Sequence, residues 1–397
     1  MTLLLEGVRV LEVAEMLFAP AAGAALADWG ADVTKIEHPV RGDRARGVMA
    51  TGVIPMTNAN YLWHQANRGK KSVAVDLNTP RGVEIVYRLA ESADVFFTNF
   101  LTTARRRIGI EYEDIAKVNP KIIYLRMNGY GPRGAESERG GYDYAAFWAR
   151  AGFAASLGEP GAGPTLQRPG LGDNTGGIVG AGAIAAALFY REKTGKGALI
   201  DLSLLATAMW VNSLDILAAY YSGMTIPRLS RKEMGNPLWN GYQTGDGRWL
   251  QLVMLQTDPY WHGFCRALGR PDLEHDPRFD SHQARCDRNR ELIDLLDGIF
   301  ATRPLAEWAR ALDENECLWT QVQEASELST DPQVVANQYM VAVDDLKLIA
   351  SPPQFDGHPA TPRSPGPELG QHTEEVLLAA GYNWAQLEEL KEAKVII

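Results

Sequence analysis

Cysteine is scarce in this chain of 397 residues: Cys265, Cys286 and Cys317 are the three, and no two form a CxxC pair. An odd count without paired spacing excludes a disulfide framework and a zinc ribbon, leaving each thiol as a small buried apolar group. The seven histidines (His38, His64, His262, His275, His282, His358, His372) show no HxxxH or HExxH spacing, so no metal is expected. No GxSxG elbow accompanies them, which removes Ser-His-Asp chemistry. Long apolar runs are missing too. Ile178–Tyr190 is the longest, is broken by Gly180 and Gly182, and falls short of the roughly 20 residues that cross a bilayer. Met1–Gly7 is too short and too acidic for a signal peptide, so the expected location is cytoplasmic. An excess of positive charge is also lacking: the net charge of −10 speaks against a nucleic-acid partner but permits a local cationic site.

What is present is the ordinary stuff of a globular enzyme, with 46% apolar and 22% charged residues and 38 glycines. The length exceeds that of one hydrophobic core. The first 130 residues alternate strands (Val8–Ala14, Asp32–Glu37, Ser72–Leu77, Ala93–Thr98, Lys121–Met127) with helices (Ala19–Trp29, Thr79–Ser92). That rhythm predicts an α/β fold with an open, mostly parallel sheet whose ligands sit beyond the carboxyl ends of the strands. A Gly/Ala helix over Asn174–Lys193 and a strand at Ala198–Leu202 follow, then a long apolar helix over Ser203–Ser222. The texture changes near residue 225 to a strand pair around Gly245-Asp246-Gly247 and amphipathic helices, as in a smaller α+β unit. Pro352–Pro367 holds six prolines and reads as an extended crossing segment. The expected division is 1–200 for the large domain, 201–224 for a linker helix, 225–325 for the small domain, and 326–397 for a crossing segment that returns to the large domain.

Three stretches invite a chemical reading. Pro169-Gly170-Leu171-Gly172-Asp173-Asn174-Thr175-Gly176-Gly177 opens the Gly/Ala helix. Asp173 there is either an N-cap or a carboxylate left open by the surrounding glycines, at a helix terminus suited to an oxyanion. The basic residues Arg68, Lys70 and Lys71, and Arg105-Arg106-Arg107, flank strand ends on an acidic protein. They read either as a phosphate site or as a solvated charged face. Neither GxGxxG nor GxxxxGK[ST] occurs, so Rossmann and P-loop nucleotide sites lack their fingerprint. Arg139-Gly140-Gly141-Tyr142-Asp143-Tyr144 reads, on its own, as a turn.

Together these stretches resemble the family III CoA-transferases, which include formyl-CoA transferase, carnitine CoA-transferase and the α-methylacyl-CoA racemases. The resemblance runs from Gly7-Val8-Arg9-Val10-Leu11-Glu12 through Leu26-Ala27-Asp28-Trp29-Gly30-Ala31-Asp32, Asn99-Phe100, Gly141-Tyr142-Asp143 and Gly172-Asp173. It ends at Leu369-Gly370-Gln371-His372-Thr373, close to the end of the chain. It implies a large Rossmann-like domain built from both chain ends, a smaller central α+β domain, and an interlocked homodimer. It also implies coenzyme A as the carried group and Asp173 as the nucleophile, acylated by an acyl-CoA donor and then carrying the CoA thioester to an acceptor carboxylic acid. Met16, Phe18, His38, Lys70, Asn99, Phe100, Arg107 and Tyr142 match CoA-contacting positions of the family. Leu17, Tyr142, Gly172, Gly176 and Gly177 fall at the acyl end.

Departures from the family pattern narrow the choice. The common Arg-Pro-Gly after Asn-Phe is Leu101-Thr102-Thr103, and His38 stands where a more basic residue is usual, implying a weaker adenosine contact. Leu17 replaces the glutamine of formyl-CoA transferase, which points away from oxalate and formate toward an apolar acid. Racemases pair the aspartate with a His-Asp dipeptide, whereas here the dipeptide is Tyr142-Asp143. A phenol with an ordinary pKa near 10 is a poor base at neutral pH, which favours transfer over racemisation. The Gly141–Arg150 stretch, with Pro169-Gly170-Leu171-Gly172-Asp173, looks most like CoA-transferases for aryl-lactate or 2-hydroxyacid substrates. The contrasting reading is a non-catalytic CoA-ester-binding protein.

Overall fold

Strands with apolar residues on both faces must be covered on both faces, and the first part of the chain supplies the helices to do so. In the computed structural model, which describes residues 3–52 and 54–397, the elements run β1 (Arg9–Val13), α1 (Phe18–Asp28), β2 (Asp32–Glu37), α2 (Tyr61–Asn67), β3 (Lys70–Ala74), α3 (Pro80–Ala90), β4 (Val95–Thr98), α4 (Thr102–Ile108), α5 (Tyr112–Val118) and β5 (Ile123–Asn128). Then come α6 (Phe153–Ser156), α7 (Leu171–Thr194), β6 (Ala198–Ser203), α8 (Leu204–Val211) and α9 (Ser213–Ser222). The six strands form one parallel sheet in the order β3-β2-β1-β4-β5-β6. The order reverses between β1 and β4, and their carboxyl ends are in register at Val13 and Thr98. Ligands of open α/β sheets bind at such a switch point.

Alternation along each strand sorts the core into two layers. Val10 of β1 and Ala14 just beyond it, with Ile123, Leu125 and Met127 of β5, pack under α1 and α7. Leu11, Val13, Ile122 and Tyr124 pack on the opposite face, against Ile85, Val86 and the C-terminal residues Leu377, Leu387 and Leu390. One residue breaks the apolar rule. Glu12 lies on the α1 face, fully buried, with Lys70 Nζ at 2.7 Å and Lys35 Nζ at 2.9 Å. The helix passes over this pair at Gly23, where a Cβ would collide with the Glu12 carboxylate and stand 2.9 Å from Lys70 Nζ.

Three boundaries differ from expectation for physical reasons. The third strand begins at Lys70, not Ser72, because its pairing with β2 starts at Val33↔Lys70 and the ion pair to Glu12 lets Lys70 be buried. The apolar helix over Ser203–Ser222 is two helices, divided at Asn212, whose side-chain amide donates to the Ala151 carbonyl (2.9 Å). The Gly/Ala helix begins at Leu171, three residues earlier than expected, so Asp173 lies in its first turn and Gly170 takes the cap position with φ +82°.

The chain forms two compact units: residues through Ala154, Leu166–Met224 and Pro332–Ile397 make the first, and Ala155–Thr165 with Thr225–Asp331 make the second. In the second unit the antiparallel strands β7 (Gly241–Gln243), β8 (Trp249–Leu252) and β9 (Trp319–Gln321) carry α10 (Asp258–Leu268), α11 (His282–Asp287), α12 (Asn289–Phe300) and α13 (Leu305–Glu314). Tyr242, Phe264, Phe300 and Trp308 centre its core, where Cys265 and Cys317 are buried; Cys286 is half-buried, its sulfur 3.6 Å from His282 Nε2. Among the described residues, no helix is long and apolar enough to cross a membrane.

Because Gly23 is the opening through which α1 clears a buried ion pair, Gly23→Ala is expected to destabilise the fold by about 3 kcal/mol. Chemical denaturation reads this directly; a variant as stable as the parent would mean that the helix can lift off Glu12 without loss.

Candidate active site

Loops at the carboxyl ends of β1 to β4 enclose a cleft of about 270 Å³ lined by Glu15, His38, Arg41, Arg44, Phe100 and Arg107, among others. Arg44 binds the Glu15 carboxylate at 2.7 Å and Arg41 approaches it at 3.7 Å. Arg107 is exposed and has no carboxylate within ion-pair distance among the described residues. Three guanidinium groups therefore face the cleft with the half-buried Glu15 carboxylate among them, a cationic patch suited to phosphate oxygens. His38 Nδ1 accepts from the backbone N–H of Val40 (3.1 Å).

The basic triplet on α4 is sorted by the helical period. Arg105 turns inward to Glu111 (3.1 Å), Arg106 faces out, and Arg107 reaches the cleft. The head of this helix, where Leu101-Thr102-Thr103 departs from the family pattern, is capped by Glu138, which accepts from the Thr103 N–H (3.0 Å). Asn99 and Phe100 separate in role. Phe100 lines the cleft, whereas Asn99 spends its amide on the backbone of Glu15, donating to its carbonyl (2.7 Å) and accepting from its N–H (3.1 Å).

The other basic run is not a ligand loop. Arg68 is buried against Asp28 (2.7 Å). Lys70, expected among the CoA contacts, is fully buried: its ammonium donates to the Pro20 carbonyl (2.9 Å) and Asn67 Oδ1 (3.1 Å) beside Glu12. Burial and the nearby Lys35 push its pKa down to about 8 despite Glu12. A side chain with every donor engaged inside the protein offers nothing to a ligand in this arrangement.

The turn from β1 into α1 carries a conformational outlier. Met16 has φ +71°, a left-handed conformation that costs a non-glycine residue about 1–2 kcal/mol. Its N–H donates to Asp43 Oδ1 (2.8 Å), and Asp43 Oδ2 meets Lys35 Nζ at 2.8 Å. Leu17 and Phe18, both buried, continue the turn and meet the head of α7. Leu17 packs where a Cβ on Gly170 would fall, and Phe18 fills the space left by Gly176.

The glycines around Asp173 thus serve packing within the chain. Gly172 admits the Phe147 ring, Gly176 admits Phe18, and Gly177 lets Ala21 and the Ala22 backbone approach. These three, expected to open the site to another molecule, are filled by the protein itself. Asp173 does not cap its own helix either. That duty falls to Asp143, whose Oδ2 accepts from the Gly170 N–H (3.0 Å) and the Gln167 side-chain amide (3.0 Å), while Oδ1 accepts from the Tyr144 N–H (2.8 Å). A π-helical turn, Tyr144–Ala149, follows and turns Phe147 under the helix. Neighbouring Tyr142 is 57% exposed and within electrostatic reach of Arg44, which joins the α7 head to the cationic cleft.

Two carboxylates so close cannot ionise independently. Burial raises the pKa of both, and Asp143 further raises Asp173, to about 8. The amides of Tyr144, Gly170, Gly172 and Gln167 favour the ionised form of Asp143. The Asp173 carboxylate has no hydrogen-bond partner among the described residues. Asp143 is therefore the fixed anion of the pair, and Asp173 the unengaged carboxylate whose proton is held more tightly.

Residues 5–373 match the model of CoA-transferase family III. The chain is a family III CoA-transferase. It is 32% identical to (R)-2-hydroxy-4-methylpentanoate CoA-transferase of Clostridioides difficile, covering 99% of this chain and 100% of that one. It is 31% identical to cinnamoyl-CoA:phenyllactate CoA-transferase of Clostridium sporogenes, over 100% and 98% of the two. Its fold matches the crystal structure of a CAIB/BAIF family protein from Brucella suis with a TM-score of 0.84 and 27% identity, covering 95% and 99% of the chains. The transferase accordingly moves CoA between an acyl-CoA and a carboxylic acid.

Several residues that shape this transferase's site escaped the sequence reading. Arg41, Arg44 and Glu15 belong to no motif and become neighbours only when β1 and β2 lie side by side. Asp43 lies 27 residues from Met16 and Gln167 lies 24 from Asp143, separations set by the fold. Because Asp143 is the like charge next to Asp173, the rate of any step that needs the Asp173 anion is expected to rise with pH along a limb ending near pH 8. Asp143→Asn removes that charge and should move the limb to lower pH. A limb that stays put, or moves upward, in the pH profile of kcat/KM for acyl-CoA would refute the pairing.

Proposed function

We propose that the transferase works through Asp173 as a covalent carrier. The ionised carboxylate attacks the thioester carbonyl of the donor, the C–S bond breaks, and the electron pair leaves with CoA thiolate, giving a mixed anhydride on Asp173. The thiolate returns to the aspartyl carbonyl of the anhydride and expels the donor acid as its carboxylate, leaving an aspartyl-CoA thioester. The acceptor carboxylate then repeats both steps in reverse. The observation that carries this reading is the division of labour at the head of α7: Asp143 accepts the helix N–H and Asp173 is left unengaged. Burial supports it further, since a carboxylate with a raised pKa is the stronger nucleophile once ionised.

The cleft holds the nucleotide end of CoA, with Arg107, Arg41 and Arg44 toward phosphates and Phe100 against the base. Met16, Phe18 and Tyr142 lie along the path from there to Asp173. The acid is a medium or bulky, largely apolar one. Leu17 and Phe147 at the α7 head support that choice, as do relatives named for a branched 2-hydroxy acid and for phenyllactate.

Asp173→Ala is expected to abolish exchange, by at least about 10³-fold, while CoA binding persists. With acyl-CoA and borohydride, reduction of the aspartyl thioester expels CoA thiol and should leave homoserine in place of Asp173, so the peptide that contains it loses one oxygen and gains two hydrogens. Exchange surviving the substitution, or label on another peptide, would overturn the mechanism. Deuterium uptake at the α-carbon of the acyl-CoA without any acceptor acid would instead mark a racemase.

The homodimer belongs to the same reading. Helices α8 and α9 expose Trp210 (82%), Leu214 (82%) and Tyr221 (82%) on one apolar stretch, more than a monomer leaves in water. A second copy covers it in the interlocked arrangement implied by the family. Trp210→Asp should shift the mass measured by light scattering toward one chain; a parent protein that is already monomeric would refute the arrangement.

A further inference from the structure

The left-handed turn at Met16 lies between the two halves of the site. Before it, Glu15 carries the carboxylate that binds Arg44 and Arg41 in the cleft; after it, Leu17 packs against Gly170 at the head of α7. Three elements hold the turn. Asn99 takes both backbone groups of Glu15, Arg44 takes its side chain, and Asp43 takes the Met16 N–H.

Of these, Asp43 is the one built into the interior. It is 1% exposed, and its two oxygens divide their work. One accepts from the N–H groups of Met16 and Ala45, both at 2.8 Å, and the other faces Lys35 at 2.8 Å. Its own N–H donates to Glu37 (3.0 Å), which is gripped in turn by Arg46 and Ser72. A left-handed non-glycine residue persists only where its surroundings over-determine it. Here they do, through a carboxylate that cannot shift without breaking a buried ion pair.

We propose that Asp43 is a positioning residue for the transfer reaction: it clamps Met16 in the left-handed turn and so fixes Leu17 against the α7 head that presents Asp173. The proposal rests on Asp173 being the acylated group. Asp43 touches neither substrate nor carrier. It acts through the backbone of Met16, and its loss lets the turn relax toward right-handed geometry and carries Leu17 away from Gly170. Displacement of about 1 Å at a reacting centre costs about 10²-fold in rate.

The test is a small mutant cycle. Asp43→Ala should lower the single-turnover rate of Asp173 acylation by about 10²-fold, with the Kd for free CoA changed less than about threefold. Met16→Gly makes the left-handed turn accessible without the clamp, so the double variant Asp43→Ala/Met16→Gly should recover about tenfold over Asp43→Ala. Asp43→Asn keeps an acceptor for the Met16 N–H while losing the charge opposite Lys35. Its acylation should stay within about tenfold of the parental rate, and this arm, read against the parent, serves if the alanine variant does not fold. Parental acylation in Asp43→Ala would overturn the proposal, as would a double variant no faster than the single, or an asparagine variant about 10²-fold below the parent. Asp173→Ala run alongside separates the two readings. If it stays active the carrier mechanism fails; if it is dead while Asp43→Ala is unimpaired, only the clamp fails.

Discussion

One buried ammonium group, Lys35 Nζ, organises the carboxyl ends of the first strands. Within 2.9 Å it meets Glu12 Oε1, Asp43 Oδ2 and the Ala14 carbonyl, all out of contact with water. Burying ions costs several kcal/mol each, and such a group survives only when complete. Completion here takes two lysines and two carboxylates, with Lys70 on the far side of Glu12. Burial works against the charge on Lys35, yet Asp43, Glu12 and Glu37 outweigh it and hold its pKa above the ordinary value. Lys70, with one carboxylate and a like charge beside it, is held below its ordinary value. Lys35 is thus the fixed charge around which β1, β2 and the Asp43 loop are arranged. The left-handed Met16 turn follows from that arrangement.

The proposed mechanism adds a second constraint: a carboxylate engaged as a helix cap is a poor nucleophile, because hydrogen bonds to its oxygens stabilise the anion it would have to spend. The chain meets this by taking the cap from elsewhere. Asp143, brought from the loop after β5, accepts the Gly170 N–H and is itself held by Gln167. Asp173, three residues into the helix, keeps only burial and a like-charged neighbour, both of which raise its pKa. The same loop contributes Glu138 to the head of α4, so one segment caps both the helix that carries Arg107 and the helix that carries Asp173.

The fold was largely legible from the sequence because its signals are local. Apolar runs of strand length, Pro80 at the start of α3 and turn glycines mark elements one at a time. The site was legible only in outline. His38, Phe100 and Arg107 line one cleft, and Asp173 lies in the first turn of α7. Lys70 did not follow, because whether a lysine faces solvent or Glu12 depends on the register between β1, β2 and β3, which no single strand reveals. Gly172, Gly176 and Gly177 misled for a related reason. Absence of a side chain signals close approach, but the sequence does not say whether the visitor is a substrate or Phe147 and Phe18.

Charge shows the same dependence on context. The protein is acidic overall, and its two conspicuous basic runs differ in fate: in one, Arg68 and Lys70 are consumed inside by Asp28 and Glu12 while Lys71 pairs with Asp32 and Glu375 at the surface, and the other is divided by the helical period so that Arg107 alone reaches the cleft. The cations that accompany it, Arg41 and Arg44, come from a loop with no basic run, tethered by Glu15. Under the proposed function, an anionic carrier approaching an acidic surface is repelled except where such a patch opens, and a local field of this kind would direct it to one cleft. Glu15 holds two of the three guanidinium groups through its side chain and abuts the Met16 turn through its backbone. The Met16 turn, and with it the contact of Leu17 on the α7 head, is fixed from beneath by the charge pair of Lys35 and Asp43, while the cations depend on the Glu15 side chain.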